Sequence, residues 1–282
     1  MCDEDHGYVL GHTDSELDRL DLQGALYRDI TLRALLDGGL QEGMRVLDIG
    51  CGSGDVSRLC AAIVGPNGSI LGVDRDQPTV EAARRRTAAA GIENVDFVAQ
   101  DIGYPLPGGQ FDALVGRFVL MHQPNPSKTL MQATDSIRSG GVVVMIESNM
   151  ATLLDSVHSA PESAFYDSIV RWKCRVVEAA AADLNSGMRL RRNFVEAGLP
   201  APQLRLEAPV EGGAGSPIYG YMADSCRSLL PQAANHGIEG FNSEAVETLE
   251  HRLEREVIES GGVLVGWPVV VGWSRKRPKP GT

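Results

Sequence analysis

The chain has 282 residues, 43% of them apolar and 22% charged, a globular composition large enough for one substantial α/β core with additions or for two small domains. Its net charge of −11 and pI near 5.0 argue against a duplex nucleic-acid partner, which demands a continuous basic surface to neutralise phosphates. Five cysteines, odd in number and without a C-x-x-C pair, indicate neither a zinc site nor a disulfide framework.

The N-terminus carries Asp3, Glu4 and Asp5 rather than a basic leader, and no apolar stretch approaches membrane-spanning length. A cytoplasmic protein without a membrane association is expected. The capping box Thr13-x-x-Glu16 opens a proline-free helix from Asp14 to about Asp37, which stops at Gly38-Gly39. Strands and helices then alternate: strand 44–49, helix 55–64, strand 69–73, helix 78–90, strand 95–99, strand 111–116, helix 125–138 and strand 142–147. Such alternation means an α/β fold, with a mostly parallel sheet covered by helices on both faces. Residues 150–182 are Ala-rich and largely helical with no strand partner in sequence, which reads as an inserted cap. The core resumes with helix 184–198 and strand 203–210.

After the breaker Glu211-Gly-Gly-Ala-Gly215 comes a second helical insertion, in which Val246, Leu249, Leu253 and Val257 share one face of helix 243–260. The strand 268–273 closes the fold. The expected organisation is a lead-in over 1–40, a core over 41–275 with caps at about 150–182 and 212–262, and a frayed tail over 276–282. The basic runs Arg84–Arg86, Arg189 with Arg191 and Arg192, and Arg275–Arg277 read as solvated faces and a charged terminus.

Asp48-Ile-Gly50-Cys-Gly52-Ser-Gly54 directly follows the first strand. The glycines permit positive φ and a close approach of the backbone to a ligand, and the next helix aims its unpaired N–H groups at the same place. The spacing is G-x-G-x-G rather than the dinucleotide fingerprint G-x-G-x-x-G. Asp48, Asp74 and Asp101 each end a predicted strand, so all three are expected at one crevice, where they would repel a pyrophosphate. They suit a ligand with hydroxyls, an exocyclic amine and positive charge, and S-adenosylmethionine has all of these. Asp74, with Arg75 beside it, is placed to accept both ribose hydroxyl hydrogens.

At this point the chain resembles the class I S-adenosylmethionine-dependent methyltransferases. The resemblance rests on Val46–Gly54, Gly72-Val-Asp74, Ala99-Gln-Asp-Ile102, Phe111–Val115 running to Leu120-Met-His-Gln-Pro124, and Ile137-Arg-Ser-Gly-Gly141. It covers roughly residues 40–200 and is closest to the bacterial small-molecule members, the group that contains the ubiquinone/menaquinone C-methyltransferases. It implies a Rossmann-like seven-stranded sheet whose last strand runs antiparallel, with an N-terminal helix and the two helical caps added to it. It also implies S-adenosylmethionine as cofactor, with Asp101 meeting the adenine amine, the Ile102 N–H a ring nitrogen, and the Arg117 carbonyl the sulfonium side. Gly50, Gly52, Gly54 and Asp48 form the loop at the methionine end, and Gln23 or Tyr8 in the lead-in could close over the carboxylate.

Methyl transfer is an in-line displacement that needs a base only when the nucleophile must lose a proton, and it requires no metal. His122, after the fourth strand, is the base candidate, although a histidine there also serves the loop's architecture. His158, His236 and His251 are weaker alternatives, and Glu147 is a further crevice acid that could bind the acceptor. Phe165, Tyr166, Trp172, Tyr219, Tyr221, Met222 and Phe241 in the two insertions suit a small apolar or planar acceptor. Plain cap packing explains each of them equally well. The Asn/Asp-Pro-Pro-Tyr/Phe signature of base-modifying enzymes is absent after the fourth strand. The leading reading is methyl transfer to O, C or N of a small metabolite; its rivals are a non-methylating cyclisation in the same fold, a non-catalytic cofactor-binding module, and an NAD-dependent oxidoreductase, which would have to bind NAD more tightly than S-adenosylhomocysteine. A homo-oligomer stays open.

Overall fold

The structure, a computed structural model, describes residues 14–104 and 109–278, with side chains from Arg19 onward. Tyr8 and the capping-box side chains of Thr13 and Glu16 lie outside the described residues. The chain begins with α1 (Asp14–Leu26) and α2 (Arg28–Gly38). The single long helix expected here is bent at Tyr27, whose buried hydroxyl donates to the Trp267 carbonyl at 2.9 Å. That bond ties the lead-in to the far end of the chain.

The core follows as β1 (Arg45–Ile49), α3 (Asp55–Val64), β2 (Ser69–Asp74), α4 (Gln77–Ala89), β3 (Val95–Ala99), β4 (Phe111–Arg117), α5 (Pro126–Asp135) and β5 (Ile137–Ser148). The next elements are β6 (Ser159–Ala160), α6 (Ala164–Ala179), α7 (Ser186–Glu196), β7 (Gln203–Glu207) and β8 (Val210–Glu211). The chain ends with α8 (Pro217–Asn235), α9 (Ser243–Glu247), α10 (Leu249–Ser260), β9 (Val263–Val265) and β10 (Val269–Arg275). Seven strands form one sheet in the order β3-β2-β1-β4-β5-β10-β7, parallel except that β10 runs antiparallel between β5 and β7. This is the mostly parallel sheet that the β–α alternation predicts, in the Rossmann-like form with an antiparallel last strand that the resemblance implies.

Alternation along the strands builds two cores. Val46, Ala113, Val115, Val142 and Val144 face α2 and α3, whereas Leu47, Ile49, Leu114, Val143 and Met145 face α5 and α7. Side-chain caps fix where the helices start: Asp76 accepts from the Thr79 N–H, Asn125 from Lys128 and Ser163 from Tyr166.

Three boundaries differ from the sequence reading. The helix expected to reach 138 stops at Asp135, because the buried Ile137 pairs beside Phe111 and starts β5 early. The strand expected over 203–210 is divided by Pro209, which has no N–H for the ladder. Its far end, β8, joins a small second sheet in the order β6-β9-β8, so the 150–182 stretch does have a strand partner. The stripe Val246, Leu249, Leu253 and Val257 is buried as expected, but its helix turns at Thr248. α6, α8, α9 and α10 form a helical roof, and α1 packs on α8. Among the described residues no helix is long and apolar enough to cross a membrane.

Candidate functional site

Gly50, Gly52 and Gly54 have φ of 61°, 50° and 80°, the left-handed region that residues with a side chain avoid. Gly50 and Gly52 form the cavity wall. A Cβ on Gly50 would also sit 2.6 Å from Val119 Cγ2. Gly54 does not line the cavity; a Cβ there would meet Phe97 Cζ at 2.8 Å, so this glycine serves the packing of α3 on the sheet.

Asp74 ends β2 on the cavity wall with each oxygen holding one backbone donor. Oδ2 accepts from the Gly52 N–H at 3.0 Å and Oδ1 from the Asp76 N–H at 3.1 Å. Burial raises its pKa, against the lowering effect of these two bonds. Asp101 and Ile102 line the same cavity, and Asp101 Oδ1 accepts from the Gly103 N–H at 2.6 Å. Arg75 lines it as well.

Asp48 corrects the expectation of three carboxylates at the crevice. Between Leu47 and Ile49, it points to the opposite face of the sheet from them, under α3, where it accepts from Ser57 Oγ at 2.6 Å and is 1% exposed. Burial raises its pKa to about 7, partly opposed by the Ser57 bond. The carboxylate that takes its place at the cavity is Asp55, in the first turn of α3. The Arg117 guanidinium pairs with it at 2.6 Å and donates to Thr31 Oγ1 at 3.1 Å. Arg117 thus reaches the cavity already neutralised. With Arg19, Arg75 and Lys173 also on the wall, the cavity is mixed in charge rather than acidic.

The turn after β4 rests on two features invisible in the sequence. Phe118 has φ of 58°, a strained value for an aromatic residue, and its ring meets Tyr27 edge-on at 5.2 Å. Beyond it the N–H groups of Val119, Leu120 and Met121 converge on the Glu147 carboxylate at 3.0, 2.8 and 3.1 Å, joined by Ser186 Oγ at 3.0 Å. Glu147 is therefore a brace of the turn, fully buried and off the cavity, and not the crevice acid expected. Its pKa rises to about 7 because desolvation outweighs the bonds from Leu120 and Val119.

His122 lies on the cavity wall just past this turn. Burial, then the positive charges of Arg19 and Arg75, lower its pKa to about 4, so it is neutral but a weak base near pH 7. His158 sits outside the cavity, 2.8 Å from the Ser156 carbonyl and 3.4 Å from Asp167, and His236 and His251 are exposed.

Of the seven cap residues expected near the acceptor, only Tyr221 lines the cavity, where its hydroxyl accepts from Gln23 Nε2 at 3.4 Å. Tyr166 and Tyr219 are buried with hydroxyls on the Val265 and Gly213 carbonyls, and Trp172 packs edge-on against Phe241, which also meets Phe165. Met222 is buried beneath Lys173. These six are the cap's own core. The roof of the cavity comes instead from Tyr27, Phe118, Met150, Lys173, Val177 and Trp267. A buried aromatic in a helical insertion carries no sequence signal that separates wall from core.

The sequence family described as a methyltransferase domain matches residues 40–197, more than half of the chain. The demethylmenaquinone methyltransferase of Staphylococcus aureus is 31% identical over 122 residues, which are 43% of this chain and 50% of that one. The chain spans about half the length of the curated relatives it matches. A Bacillus halodurans structure described as a methyltransferase covers 88% of this chain and 99% of its own, with a TM-score of 0.58 at 17% identity. The [4+2]-cyclase SpnF covers 89% of this chain and 81% of its own, with a TM-score of 0.53 at 20% identity. The two structural likenesses show the shared fold. The chain belongs to the methyltransferase-domain family, the S-adenosylmethionine-dependent methyltransferases.

Proposed function

We propose that this methyltransferase carries the methyl group of S-adenosylmethionine to an oxygen, carbon or nitrogen of a small, hydrophobic or aromatic metabolite. One observation supports this above all: one cavity is floored by the glycine loop, Asp74 and Asp101 and roofed by apolar and aromatic side chains drawn from the lead-in, the turn after β4, the cap and the segment before β10. A nucleoside and a second, less polar molecule would meet there.

The residues fit the cofactor. Each Asp74 oxygen keeps a lone pair beyond its backbone donor, as a ribose diol requires. Asp101 would take the adenine amine and the Ile102 N–H a ring nitrogen, both from the wall they already line. Gln23, buried on α1 and bonded to Tyr221, would close the methionine end. Arg117 would contribute its carbonyl there, because its guanidinium is taken up by Asp55. Asp48 supports the loop from beneath through Ser57. Bound in this way, S-adenosylmethionine supplies an electrophilic methyl on a cationic sulfur.

The protein's share of catalysis is alignment and exclusion of water. The Phe118–Met121 turn, held by Glu147, fixes one wall, and the Tyr27 bond to Trp267 fixes the roof over it. His122 stands where an acceptor proton could be taken, with a basicity suited only to an acidic acceptor. A relative named for methylating demethylmenaquinone agrees with a planar apolar acceptor.

The test is incubation with methyl-labelled S-adenosylmethionine and an apolar small-molecule extract. A labelled product formed one-for-one with S-adenosylhomocysteine is expected. A product formed without S-adenosylhomocysteine would instead favour cyclisation, and tight cofactor binding with no product a binding module.

A further inference from the structure

Lys173 on α6 is 2% exposed, yet it lines the cavity. Its Nζ lies 4.8 Å from the centre of the Trp267 ring, 5.0 Å from that of Tyr221 and 3.5 Å from Met222 Sδ. Among the described residues no carboxylate pairs with it. Arg19 of α1, also 2% exposed and on the same wall, adds like charge. Two aromatic faces and a thioether compensate a buried ammonium only weakly, so the charge is costly where a methionine would pack as well. Burial, reinforced by Arg19, lowers its pKa to about 8, against the raising influence of Cys226 and Cys174. A buried cation that faces a ligand cavity without a protein anion is matched by an anion on the ligand.

Resting on the proposed function, we infer that Lys173 binds an anionic oxygen of the acceptor, and that the acceptor is an aromatic or conjugated ring bearing an acidic hydroxyl. The flanking Trp267 and Tyr221 rings suit a planar body, and the ammonium between them suits its phenolate or enolate oxygen. The remaining charged or titratable groups facing Lys173 are Arg19 from α1, Tyr221 and Cys226 from α8, and Cys174 on α6 itself. None of these is a carboxylate, and only the phenol and the thiols could become anionic. The carboxylates Asp55, Asp74 and Asp101 line the same cavity, but none of them is among the groups that contact Lys173, so no protein acid pairs with the ammonium among the described residues.

The experiment uses the full chain saturated with S-adenosylhomocysteine at pH 8. Calorimetry and the nitrophenolate absorbance band follow the binding of 4-nitrophenol and of its methyl ether, 4-nitroanisole. The wild type is expected to prefer the phenolate at least tenfold over the ether. Lys173→Met should abolish that preference, Lys173→Arg should keep most of it, and both should bind S-adenosylhomocysteine within threefold of the wild type. Equal affinity for the two rings, no binding of either, or a preference that survives in Lys173→Met would overturn the inference. So would a large loss of S-adenosylhomocysteine affinity in Lys173→Met, which would assign the cation to the cofactor's carboxylate. Failure of the wild type to bind S-adenosylhomocysteine at all would instead remove the proposed function on which this rests.

Discussion

Replacing Asp74 separates a nucleoside site from a merely well-capped strand end. Its two oxygens each accept one backbone N–H, from Gly52 at 3.0 Å and Asp76 at 3.1 Å, and each has one lone pair left for a ribose hydroxyl. A hydrogen bond to a charged acceptor contributes about 1.5–3 kcal/mol, so two together contribute about 3–6 kcal/mol. Asp74→Ala should then weaken S-adenosylhomocysteine binding by roughly two to four orders of magnitude. Asp74→Asn keeps one acceptor oxygen and loses the charge, and should cost roughly one to two orders. Asp74 is only part-buried, so water can reach the freed amides and both variants should stay folded. Isothermal titration measures the affinities, and thermal melting checks the fold. A folded Asp74→Ala variant that binds within threefold of the wild type would refute the assignment.

Asp48 links stability to pH. Its folded pKa is raised from 3.8 to about 7, so between those values the folded chain holds a proton that the unfolded chain has released. Stability from this group is full below about pH 4 and is lost as pH rises through 7, on the order of 4 kcal/mol in all. Asp48→Asn should flatten the fall in melting temperature between pH 5 and pH 8, and an unchanged slope would contradict this. Glu147→Ala leaves three buried N–H groups without their acceptor and should cost at least about 3 kcal/mol in urea unfolding, at about 1–3 kcal/mol per group; a shift under about 1 kcal/mol would show that water replaces the carboxylate. For His122→Gln, the lowered pKa of about 4 implies less than a tenfold fall in turnover at pH 8. A base contributing the usual ~10²–10⁴-fold would give a larger fall and restore His122 to that role.

The sheet and the glycine–aspartate wall of the cavity were legible because their signals are local. Glycines at fixed offsets and acids at strand ends report on geometry a few residues away, and Asp74, Asp101 and Gly52 all stand on the cavity wall. Asp48 misled because strand alternation, rather than position at a strand end, decides which face a carboxylate takes, and here it faces Ser57. Glu147 misled in a different way: it ends β5 as expected, but the left-handed Phe118 turns three amides onto it. The roof was legible least. Lys173, Tyr27 and Trp267 come from three remote segments that only the tertiary fold brings together, and no spacing links them. The aromatic residues singled out in the insertions mostly satisfy the cap's own core, and composition cannot distinguish the two uses.

The most direct test is a crystal structure with S-adenosylhomocysteine bound. It is expected to show the ribose hydroxyls on both oxygens of Asp74 and the sulfur open to the space beneath Tyr221, Trp267 and Lys173. A nucleoside seated away from Asp74, or a sulfur sealed off from that space, would contradict the account.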